Sequence, residues 1–425
     1  MLSFLLKKIA YGLLVLAGVV TVVFFLFNLA PGDPVRNLVG ENASEQTLQQ
    51  MRRKLDLDLP LGKRFVLYIN DLSPVSVHNT KSEESRIYFD EFKYNGLRLI
   101  PVGGDKSLFL KSPYLKRSFL SDRNVSEVLS DAIPGTVVLA VVSILCALLI
   151  GLVMGIISAL RKNSVYDRLM LFISALGMAG PSFFVAIIVA WIGAVLWRDH
   201  IIIHPLPWIL LVLLIATGNL LKRSGKLRLS SAGLFMGSAL TSFVMWMVVK
   251  IIAGDQNILT AAVHLPGTGL NMTGSLYGVD VWNGEILEMR NMILPVITLM
   301  IRPLSVIVQL TRSSLLDVLA QDYVRTARAK GLPEYVVILK HALRNALNPV
   351  ITAISGWFAS LLAGAVFVEF VFGWKGLGQQ MFTAIEGQDL PVVMGGVIVI
   401  ATAFVLINIL VDIVYGWIDP RVRVG

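Results

Sequence analysis

The chain has 425 residues, 55% of them hydrophobic and 15% charged, with a formal net charge of +9 and a mean hydropathy of +0.72. A soluble domain carries about a quarter charged residues, so most of this mass belongs in lipid. The lone cysteine, Cys146, excludes an intrachain disulfide, and the scattered histidines offer no Cys/His metal cluster. The excess of positive charge is assigned to cytoplasmic loops and not to nucleic acid, a reading that the distribution of those charges tests.

Lys7 and Lys8 precede an apolar run that reaches Ala30. It is too long for the apolar part of a signal peptide and long enough to span a bilayer, so it is expected to be a retained first helix. Further apolar runs lie near 134–160, 168–197, 206–221, 232–253, 292–311, 346–372 and 391–417. The expected fold is therefore an all-α polytopic membrane protein of about eight spans, with a small α+β insertion outside the membrane. The division is 1–30 for the first span, 31–133 for the cap, and 134–197 for spans two and three. An added pair follows at 198–260, and 261–425 is the remaining core with a cytoplasmic loop at 312–345.

Charge sets the orientation. One set of loops carries Lys7, Lys8, Arg161, Lys162, Arg168, Lys222, Arg223, Lys226, Arg228, Arg312, Arg325, Arg328, Lys330, Lys340, Arg344, Arg421 and Arg423. The short loops between them carry Arg198, Arg290 and Lys375. Positive residues favour the inside, so both termini are expected in the cytoplasm.

In the cap, Leu48, Met51 and Leu55 follow a candidate Ser44 cap at helical spacing. The stretch SRIYFDEFKYNGLRLIPVGGDKSLFL alternates and contains Asn95-Gly96, so a β-hairpin turning there is expected. Either an elaborated loop or a ligand-binding module fits this composition.

In the second run, Ser143, Ala147, Gly151, Gly155 and Ala159 form a smooth stripe, and Gly356, Ser360 and Gly364 repeat it in the seventh. Small residues let helix backbones approach closely, within this chain or across a dimer. Arg302 lies mid-span before Pro303, with Glu369 near the outer end of the seventh run and Asp412 near the inner end of the eighth. An intramembrane charge either lines a pathway or is paired, so Arg302 and Glu369 are pathway candidates. The alternatives are an Arg302–Asp412 ion pair and simple capping or snorkelling by the two acids.

No G-x-x-x-x-G-K-[ST], G-x-S-x-G or H-E-x-x-H occurs. No catalytic residues, metal site or cofactor are expected in this chain, and energy from ATP must come from another subunit.

The stretch QDYVRTARAKGLPEYVVILKHALRNALNPV, 321–350, has a shape. A short helix begins at Asp322 and Tyr323 and ends at Lys330, where Gly331 suits a left-handed residue past a helix end. Pro333 fits the first turn of a second helix, and Glu334 complements its positive end. Two helices at an angle make a rigid elbow, more than a topology-setting loop requires.

This stretch resembles the cytoplasmic loop of ATP-binding-cassette importer permeases, whose pattern is roughly E-A-A-x3-G-x9-I-x-L-P. Ala327, Gly331 and Leu343 match; Arg325, Thr326, His341 and Arg344 stand where the pattern has Glu, Ala, Ile and Pro. Those departures resemble the dipeptide/oligopeptide/nickel branch, with its DY-RTARAKGL and HALRNA--P. So do APGDP at 30–34, LDLDLPL at 55–61, LPVITL at 294–299, LTRSSLLDVL at 310–319, GLG at 376–378 and NILVDIVYGWIDPRVR at 408–423. Residues about 75–112 and 199–260 look inserted relative to that family's six-span core.

The resemblance implies an inner-membrane permease for peptides or a related small solute. It implies a second homologous permease, two ATPase subunits that hold ATP and Mg, and an external solute-binding protein. It further implies that Tyr323, Arg325, Thr326, Ala327, Arg328, Lys330, Gly331, Leu332 and Pro333 dock on an ATPase. An exporter or signalling permease is the alternative, and a secondary transporter the weaker one, because embedded carboxylates are sparse.

Overall fold

A computed structural model of the chain describes residues 2–29, 35, 39, 43–82, 85–91, 93–203, 205–223, 231–253, 263–280 and 284–418. The APGDP segment, Lys226, Arg228, Arg421 and Arg423 lie outside the described residues. The chain divides into two compact units, Met1–Ile187 with Thr273–Gly425, and Ile188–Met272.

The first unit opens with α1, Leu2–Leu29. The cap follows, with α2 (Glu45–Lys54) and α3 (Leu61–Leu72). Ser44 caps α2 as its sequence suggests, its Oγ accepting from Thr47 N at 3.2 Å. Strands β1 (Val75–Asn79), β2 (Gly96–Gly103) and β3 (Lys106–Lys111) form an antiparallel sheet in the order β1-β3-β2.

A hairpin is present, but its turn is not at Asn95-Gly96. The chain reverses at Gly103 and Gly104, with φ of +123° and +59°, and Gly96 opens β2. Tight turns form here instead, with Tyr88 N bonded to Ser85 O and Tyr94 N to Asp90 O, each at 2.8 Å. Those turns fold Phe89 onto Phe109, rings stacked at 3.9 Å, beside the buried His78 and Tyr94. Burying aromatic surface drives folding in this water-facing part, each ring pair adding about 0.5–1.5 kcal/mol beyond area.

The second span is α4, Val125–Leu160. It starts ahead of the expected 134 and runs through Pro134. Val125, Leu129 and Ala132 bury against Leu377, Ala384, Val392 and Val393, and this packing outweighs the proline's local cost. At 1.5 Å per residue the helix is about 54 Å long, well beyond a bilayer core of about 30 Å.

The third expected span, 168–197, is interrupted. Helix α5 (Val165–Ala179) stops where Gly180 turns extended, with ψ of 136°, and α6 (Ser182–Ala190) starts anew. Pro181 disfavours helical backbone at the residue before it, which the apolar composition alone does not reveal.

The second unit continues from α6 through a π turn at Trp191–Leu196, β4 (His200–Ile203), α7 (Pro205–Arg223), α8 (Ser231–Ala253) and β5 (Val263–Pro266). Strands β4 and β5 pair antiparallel, His200 opposite Pro266. Thr268 Oγ1 donates to Gly193 O at 2.6 Å, and Trp197 Nε1 to Pro266 O at 3.0 Å. This unit is wider than the added pair expected at 198–260.

The first unit resumes with β6 (Tyr277–Asp280) paired to β7 (Gly284–Leu287), then α9, Ile293–Leu319. Helix α9 continues unbroken through Pro303. Next come α10 (Asp322–Ala329), α11 (Glu334–Val336), a π turn at Val337–Ala342 and α12 (Leu343–Ala346). Helices α13 (Asn348–Gly364), α14 (Val366–Val371), α15 (Leu377–Glu386) and α16 (Leu390–Ile418) complete it.

Among the described residues, 5 helices are long and apolar enough to cross a membrane, or up to 6 if the pair broken at Gly180 is one span. Leu206–Asn219 falls short of that length, and the expected span at 346–372 is divided at Ala365, so the count of eight is not reached.

Inside lipid, apolar burial no longer favours one helix face over another, and close packing must hold the helices. A Cβ on Gly151 would lie 2.8 Å from Ile307 Cγ2, and one on Gly155 2.6 Å from Thr311 Cβ. The stripe on α4 thus seats α9 of the same chain. The second stripe differs, for Gly356 has nothing within 4 Å of a built Cβ.

Candidate functional site

The elbow at 321–350 is built as its glycine and proline suggest. Helix α10 ends at Ala329, and Gly331 takes φ of +74° with its N–H on Arg328 O at 2.9 Å. Pro333 is extended (φ −63°, ψ 144°) and sits one place before α11 as its cap, not inside its first turn. Arg328 and Glu334 close the corner with a 2.6 Å ion pair. Bonding to Arg328 holds the Glu334 carboxyl below its usual range. A second tie crosses the elbow from Asn345 Nδ2 to Tyr323 Oη, at 2.8 Å.

The inner face of the elbow is apolar. Val324, Ala327, Val337, Ala342 and Ala346 bury with Ala159 of α4 and Leu315 of α9. Ala327, expected among the docking residues, is only 7% exposed and instead seats the elbow. Tyr323, Arg325, Thr326, Arg328, Lys330, Gly331, Leu332 and Pro333 are all exposed. Tyr335 and Leu339 join that face at 67% and 58% exposure, although neither is among the docking residues expected from the sequence. Regular helical spacing would put both on the face of Ala342 and Ala346, and the π turn at Val337–Ala342 shifts that register, so the sequence carried no signal for them.

The elbow is bolted to the spans behind it by a clamp that the sequence did not reveal. Arg312 of α9 grips Asp167 of α5 through Nε to Oδ1 at 2.5 Å and Nη2 to Oδ2 at 2.8 Å. Ser158 Oγ and Asn163 N donate to the same carboxylate at 2.6 and 2.8 Å. One carboxylate thereby ties the α4–α5 turn to the helix that carries the elbow. The cap lies at the other end of α4 from the elbow, near Val125.

The two pathway candidates part company. Glu369 is fully buried, with Thr136 Oγ1 donating to Oε1 at 2.6 Å and Gly378 N to Oε2 at 2.7 Å. Thr136 in turn accepts from Leu377 N at 2.8 Å. Glu369 therefore knits α4, α14 and the GLG turn. Arg302 is exposed and lines a pocket of about 50 Å³ with Ser182, Thr298, Trp357 and Ser360. Asp412 is no partner for it, because Lys8 holds that carboxylate at 2.7 Å.

Comparison with known proteins decides the family. Residues 215–424 match the model described as binding-protein-dependent transport system inner membrane component, and residues 1–83 match that system's membrane component, N-terminal. The chain belongs to this permease family. The permease is similar to the dipeptide transport system permease protein DppB of Alkalihalophilus pseudofirmus, 30% identical over 100% of each chain. It is 32% identical to the probable D,D-dipeptide transport system permease protein DdpB of Escherichia coli K12, over 99% of this chain and 98% of that one. The di/tripeptide transport system permease protein DppB of Pseudomonas aeruginosa is 30% identical, over 100% and 99% respectively. Membership places the permease in the inner membrane and in the peptide branch of the ATP-binding-cassette importers.

Proposed function

We propose that the permease forms half of the membrane pathway of an importer for short peptides, with the elbow as the handle gripped by an ATPase subunit. The carrying observation is the elbow's two faces. Its apolar side is locked to α4 and α9, while its polar and aromatic side, from Tyr323 to Leu339, is left exposed. A rigid lever transmits motion, and differential contact with two ATPase states makes the grip a coupling device. The side bearing the elbow is then cytoplasmic, which agrees with the positive residues there, and puts the cap outside.

The relatives' printed names support peptides as substrate. Exposed Arg302 suits a peptide carboxylate, and its small pocket is completed by a second, homologous permease. ATP and Mg sit on the two ATPases, and an external binding protein delivers the solute. The family's binding-protein dependence favours import over export or secondary transport.

The test is site-directed cross-linking in the assembled transporter. Leu339→Cys and Arg325→Cys should each cross-link to a cysteine in the ATPase groove, with a yield that changes when ATP is trapped. Val324→Cys, on the buried face, should not. Equal cross-linking from Val324→Cys, or none from the outer face, would sink the docking assignment.

A further inference from the structure

The cap contains a cavity of about 400 Å³, walled by α2, the α3 end and the 114–122 segment. That volume lies within the range of small-molecule sites. Met51, Leu55, Tyr114 and Phe119 give it apolar walls, and acids and bases are interspersed among them.

The charges are not evenly satisfied. Asp56 is held by Arg86 at 2.6 Å, Asp71 accepts from Tyr94 Oη at 2.6 Å, and Asp122 faces Arg117 at 3.8 Å. Two lining lysines have no carboxylate in ion-pair range among the described residues. The Lys93 amine lies over the rings of Tyr94 and Tyr114 at 4.7 and 4.8 Å, and Lys116 over Tyr68 at 6.0 Å. Desolvation pushes the Lys116 amine below its ordinary range, a cost that an incoming anion would relieve.

Strain collects at the same place. Asp56, Lys116 and Asp122 have φ of +60°, +67° and +51°, and all three line the cavity. Left-handed backbone is uncommon outside glycine, and such strain concentrates at ligand sites. The rim is also tied to the membrane part. Asp389, at the turn into α16, accepts from Ser118 Oγ at 2.5 Å and from Phe119 N at 3.0 Å.

We propose that this cap cavity binds a short zwitterionic peptide outside the membrane, its carboxylate on Lys93 and Lys116 and its ammonium end toward Asp71. This rests on the peptide reading of the transporter. A site here would hold solute near the pathway entrance, on a rim that shares hydrogen bonds with the last span.

The experiment uses the complete purified transporter and dialanine as probe. Acetylation of Lys93 and Lys116 by a limiting reagent is followed by peptide mass spectrometry, alongside dialanine uptake in cells. Dialanine should slow modification of both lysines, and dialaninamide should need about tenfold higher concentration for the same effect. Lys116→Asn, which keeps the left-handed backbone accessible, should weaken protection of Lys93 about tenfold. Uptake without protection overturns the cavity site and leaves the peptide reading standing. Protection without uptake supports the site and overturns the peptide reading. Equal protection by inorganic phosphate would reduce the site to an unspecific anion hole and overturn the proposal.

Discussion

Removing Arg312 exposes how much the clamp behind the elbow contributes. The Asp167 side chain is 2% exposed and that of Arg312 19%. Breaking a buried pair from one side costs about 3–5 kcal/mol, because the other charge is left behind. Arg312→Ala leaves a buried carboxylate that keeps Ser158 Oγ and Asn163 N, so the cost should fall near the lower limit, about 3 kcal/mol. Asp167→Ala leaves an arginine that still reaches water, so about 2 kcal/mol is expected. The double variant should cost about 3 kcal/mol, since the pair can be lost only once. Hydrogen exchange of the backbone around 158–168 measures this locally. Protection should drop about 100-fold for Arg312→Ala, about 30-fold for Asp167→Ala and about 100-fold for the double variant. Multiplying single effects, a drop of about 3,000-fold, would refute the clamp as a coupled unit. In the assembled transporter the same variants should lower uptake per ATP hydrolysed.

Other perturbations follow the same logic. A Cβ at Gly331 meets nothing within 4 Å, so Gly331→Val acts through its backbone alone; it should cost about 1–2 kcal/mol, leave the protein in the membrane and uncouple uptake from ATP hydrolysis, whereas Gly331→Asn retains coupling. Gly155→Ala should destabilise the α4–α9 contact by about 1–3 kcal/mol while Gly356→Ala changes thermal stability little, and equal melting temperatures for the two would contradict the packing assigned here. Lys111 is pushed down to about 8 by burial from an ordinary 10.5. The unfolded cap then binds more protons between those values, so protease resistance of 75–111 should rise with pH from about 8 to 10.5, and Lys111→Met should abolish the rise.

Local rules made much of this legible. A helix stop followed by Gly331 and Pro333 depends on residues a few positions apart, and the elbow appears where those residues put it. Ser44 caps α2 for the same reason. The hairpin turn went elsewhere because Asn95-Gly96 is only a local preference. Placing Phe89 on Phe109 requires the turn from Ser85 to Tyr88, and that contact lies across the sheet. The broken third span shows apolar composition yielding to Pro181.

The sequence by itself determined that the chain lives in lipid, which side its positive loops favour, and where the elbow bends. Those properties arise from composition and from neighbours within a few residues. The tertiary structure alone decided which face each element shows. It buried Ala327, bared Tyr335 and Leu339, joined Asp167 to Arg312, enclosed Glu369 with Thr136, and gathered Asp71, Lys93 and Lys116 around one cavity. Helix periodicity names a face, but only packing against distant segments says whether that face meets a helix, lipid, water or a partner.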